Sequence, residues 1–185
     1  MRRLLFSVAV LAAVLLSPLA FESADAYTLS GKVVHVADGD TLTLLSGRDR
    51  VRVRLASIDA PEIGHGRAQP GQPYGKAARQ ALADLVAGKN VCLHCYEQDQ
   101  YGREICDVPL DDGRLASQAL VASGMVWANQ QGRGKYMRDA SLPDLQRRAK
   151  QQHLGLWRDA KPVPPWEWRY KCWKALETGD RAPIC

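Results

Sequence analysis

Beyond Ala26 this 185-residue sequence holds no apolar run long enough to span a bilayer, so a helical membrane span in the rest of the chain is excluded. Also missing are G-x-S-x-G, H-E-x-x-H and the phosphate-binding P-loop. Their absence removes the α/β-hydrolase, zincin and P-loop NTPase classes. The histidines are few and scattered: His35, His65, His94 and His153 lack ligand spacing and read as surface residues. No internal repeat is present.

What the chain does have begins with a processing segment. Arg2 and Arg3 precede an apolar stretch from Leu4 to Leu16, Pro18 interrupts it, and Ala24-Asp25-Ala26 offers a small-x-small cleavage site. Residues 1–26 are therefore expected to be a signal peptide and the mature protein to start near Tyr27. The rival is an uncleaved anchor, but the run is shorter than the roughly 20 residues a spanning helix needs. No cysteine near the cut offers a lipid site. The expected location is outside the cytoplasm, periplasmic or secreted, with no membrane attachment after cleavage. Export gives the five cysteines their meaning, because an oxidising compartment lets them pair. Cys172 and Cys185 make a natural mutual pair, and Cys92 or Cys95 reaches Cys106 if their segments are neighbouring strands. Zinc at Cys92, His94 and Cys95 is the rival, with no second ligand cluster to support it. The leader carries two charges of each sign, so the mature chain keeps the net +5, a weak bias toward polyanions.

Strand-like text covers Lys32 to Val36, Thr41 to Leu45 and Val51 to Ile58, and again Val91 to Tyr96 and Glu104 to Leu110. Val51-Arg52-Val53-Arg54-Leu55 alternates strictly, which places both arginines on one face. Pro61 to Gly75 is a loop. Helical spacing marks Lys76 to Val86, Arg114 to Ser123 with Gly124 as its stop, and about Leu142 to His153. Five short strands with three helices predict an α+β fold built on a partly open five-stranded barrel. It would span residues 27–160 and be followed by a Pro/Trp-rich tail at 161–185.

Two clusters hold charge that folding does not require. Asp38-Gly39-Asp40-Thr41 stands at a strand turn, and Arg54 is followed by Asp59-Ala60-Pro61-Glu62; a third group, Tyr101-Gly102-Arg103, opens a later strand. Alone, Asp-Gly-Asp is usually a turn whose aspartates bond their own backbone. Together these residues supply what phosphodiester cleavage needs. Asp40, Asp59 and the Ala60 carbonyl are oxygen donors for a hard cation. With only two carboxylates, its dissociation constant is expected near the roughly 10⁻⁴–10⁻³ M of extracellular calcium modules. Glu62 would take the proton of an attacking water or orient that water. Arg54 and Arg103 would grip the phosphate and meet the charge of the five-coordinate transition state.

The ordered motifs Asp38-Gly39-Asp40-Thr41, Arg54 with Asp59-Ala60-Pro61-Glu62, Tyr101-Gly102-Arg103, Gly124 and Leu154-Gly155-Leu156-Trp157 resemble the staphylococcal nuclease family, from about Val33 to Trp157. The resemblance implies an OB-fold, Ca²⁺ as cofactor, single-stranded DNA and RNA as substrates, and 3′-phosphate ends. It makes Asp40, Asp59 and Ala60 the metal ligands, with Asp38 behind them. Glu62 becomes the general base, Arg54 and Arg103 the phosphate-binding residues, and Tyr101 the partner of a terminal phosphate. Alanine at 60 replaces the prototype's threonine, and the base-stacking tyrosine expected between Met125 and Gly134 is missing. Tyr136 or Trp127 would substitute for it. The loop from Tyr96 to Tyr101 is short, and the cysteines and the tail lie outside the family's pattern.

Two rivals remain. A non-catalytic OB-fold nucleic-acid-binding module of the cell envelope would be expected to lose the acids, which stand here as a full set. A docking patch at Pro164-Pro165-Trp166-Glu167-Trp168-Arg169 competes with the same tail packed on its own domain. The expected molecule is a monomer without a stable protein partner.

Overall fold

The computed structural model describes residues 26–181 and 184–185. The leader reading thus falls, apart from Ala26, outside the described residues. Five strands form a closed barrel in the order β1-β2-β3-β6-β5: β1 Tyr27–Val36, β2 Thr41–Ser46, β3 Asp49–Leu55, β5 Asn90–Gln98 and β6 Glu104–Asp107. The barrel is mixed. β3 and β6 run parallel, with Val53 opposite Glu104 and Leu55 opposite Cys106, and the other neighbours are antiparallel. The expected partial opening is absent because this short parallel pairing and the β1–β5 ladder complete the ring.

Alternation drives the barrel. Leu42 and Leu44 on β2 and Val53 and Leu55 on β3 point inward and are buried, while Arg52 and Arg54 take the opposite face. Helix α1, Gly75–Val86, buries Ala78, Leu82 and Val86 at four-residue spacing. Helix α2, Ala116–Ala122, adds Leu120 and Val121 to the same core.

One predicted strand divides. Val51 to Ile58 is continuous in pattern, but Ser57 adopts φ 68° and ends β3 at Leu55. The chain restarts as β4, Ile58–Asp59, paired with β7, Trp127–Ala128. Ser57 is fixed in that left-handed conformation from three sides: its hydroxyl accepts the Arg138 N–H at 2.8 Å and the Asp139 N–H at 3.2 Å, and its carbonyl accepts the Asn129 N–H at 2.8 Å. A single turn α3, Gln131–Gly134, precedes α4, Leu142–Gln151. After α4, Gly124 at φ 70° meets the return of the chain, and a Cβ there would lie 2.3 Å from the Leu154 carbonyl oxygen. Only glycine fits both constraints.

The tail is a continuous helical run: α5 at Pro165–Trp168, a π-helical turn at Arg169–Trp173 and α6 at Lys174–Thr178. The three predicted helices are thus joined by α3, α5 and α6. The tail packs on the loop that precedes α1, since the Trp168 and Trp173 indoles both donate to the Pro70 carbonyl, at 3.2 and 2.9 Å. Trp166 meets Trp127 edge-on, and Trp127 meets Trp157. Trp127 is thereby buried and is withdrawn as a base-stacking residue.

Cys172 bonds Cys185, and Cys95 bonds Cys106, its register partner across β5 and β6. Cys92 is an exposed free thiol. Zinc at Cys92, His94 and Cys95 is excluded, because Cys95 is a disulfide sulfur. No helix among the described residues is long and apolar enough to cross a membrane.

Candidate active site

The turn between β1 and β2 supplies the first acids. Asp38 Oδ1 accepts the Asp40 N–H at 2.9 Å, so the aspartate-turn reading holds. Asp40, however, is spent elsewhere. Its side chain is buried, and it accepts the Thr41 hydroxyl at 2.8 Å and the Ala60 N–H at 3.0 Å. Gly39 allows that approach: a Cβ there would lie 2.9 Å from the Ala60 Cβ and 2.6 Å from the Ala78 Cβ. The Asp-Gly-Asp turn thus docks directly onto Asp59-Ala60-Pro61.

Arg54 ties the clusters together from the outer face of β3. Its guanidinium reaches Asp40 Oδ2 at 3.4 Å, Asp59 Oδ1 at 3.2 Å and the Ile58 carbonyl at 3.3 Å. The kink at Ser57 is what presents Asp59 to it. Glu62 follows on the loop, where Gln72 clamps its backbone: the Gln72 side-chain oxygen accepts the Glu62 N–H at 3.2 Å, and the Gln72 N–H donates to the Glu62 carbonyl at 2.9 Å.

Electrostatics divide these acids. Burial works against ionisation of Asp40, but Arg54 beside it and the hydrogen bonds to its oxygens hold it below the ordinary carboxylate range. Burial and then the Asp40 charge push Asp38 up, well above the ordinary carboxylate range. Burial also pushes Glu62 up to about 7, opposed by an arginine at its side. Asp40, followed by Asp59, raises the Arg54 pKa.

Arg103 and Tyr101 line the same cleft as Asp38, Asp40, Asp59 and Glu62. Arg103 is fixed by Asp99, which accepts its Nε at 2.8 Å and its Nη2 at 2.7 Å. Tyr101 is 67% exposed at the rim, with the Arg103 guanidinium 5.4 Å from its ring centre. The cleft continues past Arg54 to Lys135, Tyr136 and Arg138, and Tyr136 is half exposed there. Asp38, Asp40, Arg54, Asp59, Ala60, Glu62, Tyr101 and Arg103 all lie in this one region, and Trp127 does not.

Three residues escaped the sequence reading. Asp99 and Gln72 carry no motif and act by holding Arg103 and Glu62. The third is Arg169 of the tail, which donates to Asp59 Oδ2 at 2.7 Å, to Asp59 Oδ1 at 3.2 Å, and to Glu62. Nothing in the Trp166-Glu167-Trp168-Arg169 text marks it, because its place depends on how the tail docks.

The donor chemistry fits a hard cation. Asp40 and Asp59 are buried oxygen donors on adjoining backbone and Ala60 adds a carbonyl, while His65, which also lines the cleft, is exposed. Among the described residues no three His, Cys, Asp or Glu side chains converge as a metal cage.

Similarity to other proteins agrees with this geometry. The sequence profile described as "Staphylococcal nuclease homologue" matches residues 52–159. An Escherichia coli O157:H7 protein named "Uncharacterized endonuclease" is 42% identical over 143 residues, covering 77% of this chain and 86% of the relative. A Shigella flexneri protein named "Micrococcal nuclease" is 40% identical over 147 residues, covering 75% and 79%. One from Haemophilus influenzae, also named "Uncharacterized endonuclease", is 37% identical over 139 residues, covering 75% and 71%. The profile takes in β3 through the Leu154-Gly155-Leu156-Trp157 turn, more than half of the chain and most of the cleft, and the chain belongs to the staphylococcal nuclease family.

Proposed function

We propose that this nuclease is a calcium-dependent phosphodiesterase, exported from the cytoplasm, that hydrolyses single-stranded DNA and RNA and leaves 3′-phosphate ends. The observation that carries the reading is Arg54 reaching both Asp40 and Asp59 in a cleft that also holds Glu62 and Arg103. Asp40, Asp59 and the Ala60 carbonyl would hold the cation, with Asp38 behind them fixing the Asp40 backbone. When bound, calcium supplies positive charge at the phosphate oxygens and a place for water.

The chain's own residues do the rest. Arg54 and Arg103 bind the phosphate through forked hydrogen bonds that strengthen as charge builds on its oxygens. Glu62 takes the proton of the attacking water or orients that water. A bond forms from the water oxygen to phosphorus while the bond from phosphorus to the 5′-oxygen breaks, and the departing oxygen takes up a proton. The phosphate stays on the 3′ side. Tyr101 stands at the rim for a terminal phosphate, and Tyr136 beside Lys135 offers a stacking face of the kind that tolerates any base. The two disulfides support an oxidising location.

The test is hydrolysis of single-stranded DNA by residues 27–185 in calcium and in chelator, beside Glu62→Gln and Arg54→Ala. Each variant is expected to lose about 10² or more in rate. Arg54→Lys is expected not to restore activity, because the fork is lost. Binding without cutting in any divalent ion would instead leave the non-catalytic OB-fold module.

A further inference from the structure

Arg169 comes from beyond the segment that the family profile matches, yet it holds two of the acids on which the proposed chemistry depends. The Asp59 side chain is only 2% exposed. Its Oδ1 accepts from both Arg54 and Arg169, which uses the two lone pairs of that oxygen, and its Oδ2 accepts a second nitrogen of Arg169. One lone pair of Asp59 is left. A dication and a guanidinium also repel at such range, and the more so where water is scarce. Calcium and the Arg169 fork therefore compete for Asp59.

The arginine is aimed at the site by a built scaffold. Indoles on either side of it, Trp168 and Trp173, donate to one carbonyl, that of Pro70. Cys172, three residues on, is buried in its disulfide. The Gln72 amide, whose backbone and side chain clamp Glu62, also donates to the Val163 carbonyl of the tail. Arg169 begins a π-helical turn, an irregularity common at functional sites. Its own side chain remains 38% exposed, so the head group has room to swing while the backbone stays fixed.

We propose that Arg169 is a positioning residue of the active site: it balances Asp59 and Glu62 in the cation-free enzyme, yields Asp59 when calcium binds, and so sets the calcium concentration the enzyme needs. The inference rests on the calcium reading of Asp40 and Asp59 given above. A purely structural arginine would predict that its loss weakens the site; a competitor for Asp59 predicts the reverse.

Calorimetric titration of Ca²⁺ into the oxidised chain tests it directly, with wild type beside Arg169→Gln, Arg169→Ala and Arg169→Lys. The glutamine and alanine variants are expected to bind calcium about tenfold more tightly, and lysine, which lacks the fork, by less than that. A crystal structure of the wild type with calcium, which needs no variant to fold, is expected to show the fork from Arg169 to Asp59 open. Equal or weaker binding by the uncharged variants overturns the inference alone, as does a calcium-bound structure with both Arg169–Asp59 bonds intact. No calcium binding by any protein, wild type included, overturns the calcium reading and the inference with it.

Discussion

Asp99 shows how a residue without a motif prepares a functional one. Its Oδ1 accepts the N–H groups of Tyr101 and Arg103, each at 2.9 Å, and its Oδ2 accepts the Arg103 guanidinium. Burial opposes its ionisation more than any one bond favours it, but these bonds together hold its pKa below the ordinary carboxylate value. Stability from such a group is complete above its unfolded pKa of about 3.9 and is lost as pH falls through the lower folded value. Asp99→Asn is thus expected to melt below the wild type at pH 6 and to converge with it toward pH 2; a gap that stays constant across that range would rule out the linkage. Arg54, Asp59, Glu62 and Asp40 were legible because acids and arginines in ordered clusters exceed what turns require. Asp99, Gln72 and Arg169 were not, because their work is to hold other residues, and which residue each one meets is decided only after folding. The raised Asp38 follows from the same cause, since burial beside Asp40 is a property of the docked turn.

At the scale of elements, alternation predicted the strands well wherever one face is buried. It missed the break at Ser57, whose φ of 68° comes from the Arg138, Asp139 and Asn129 backbone groups around it. β7 was invisible for a related reason: its two residues are a strand only because Ile58 and Asp59 lie opposite. Gly124 was read as a helix stop, and the structure adds a second demand on it. Alanine there would be strained at φ 70° and would sit 2.3 Å from the Leu154 oxygen, so Gly124→Ala is expected to lower unfolding stability by about 3 kcal/mol in urea titrations. A loss below about 1 kcal/mol would mean that the contact between α2 and the turn at Leu154 can shift freely.

For the whole molecule, the net charge of +5 is modest, and position matters more than the sum. Basic groups gather along the cleft, where Lys135 and Arg138 continue the line of Arg54 and Arg103. Each phosphate contact on a single strand contributes roughly −0.7 to the slope of log affinity against log salt. With Glu62→Gln as the background to prevent cutting, Lys135→Ala is expected to make that slope shallower by about 0.7. An unchanged slope would place the strand elsewhere.

The ring itself dictates a schedule. β1 pairs at once with β2 along one edge, but along the other Tyr27 pairs with Cys95 and Lys32 with Asn90, so that edge waits for a partner made long after it. β3 likewise waits for β6, across the whole of α1 and β5. Closing such loops costs chain entropy before any contact repays it, which slows the search for the native state. The hairpin of β2 and β3 can form at once and carries Arg54 with it. Asp59 gains its strand partner only when Trp127 arrives, and Arg169 comes later still. The acids and arginines of the cleft therefore share one place only after the barrel has closed and Trp127 has paired with Asp59.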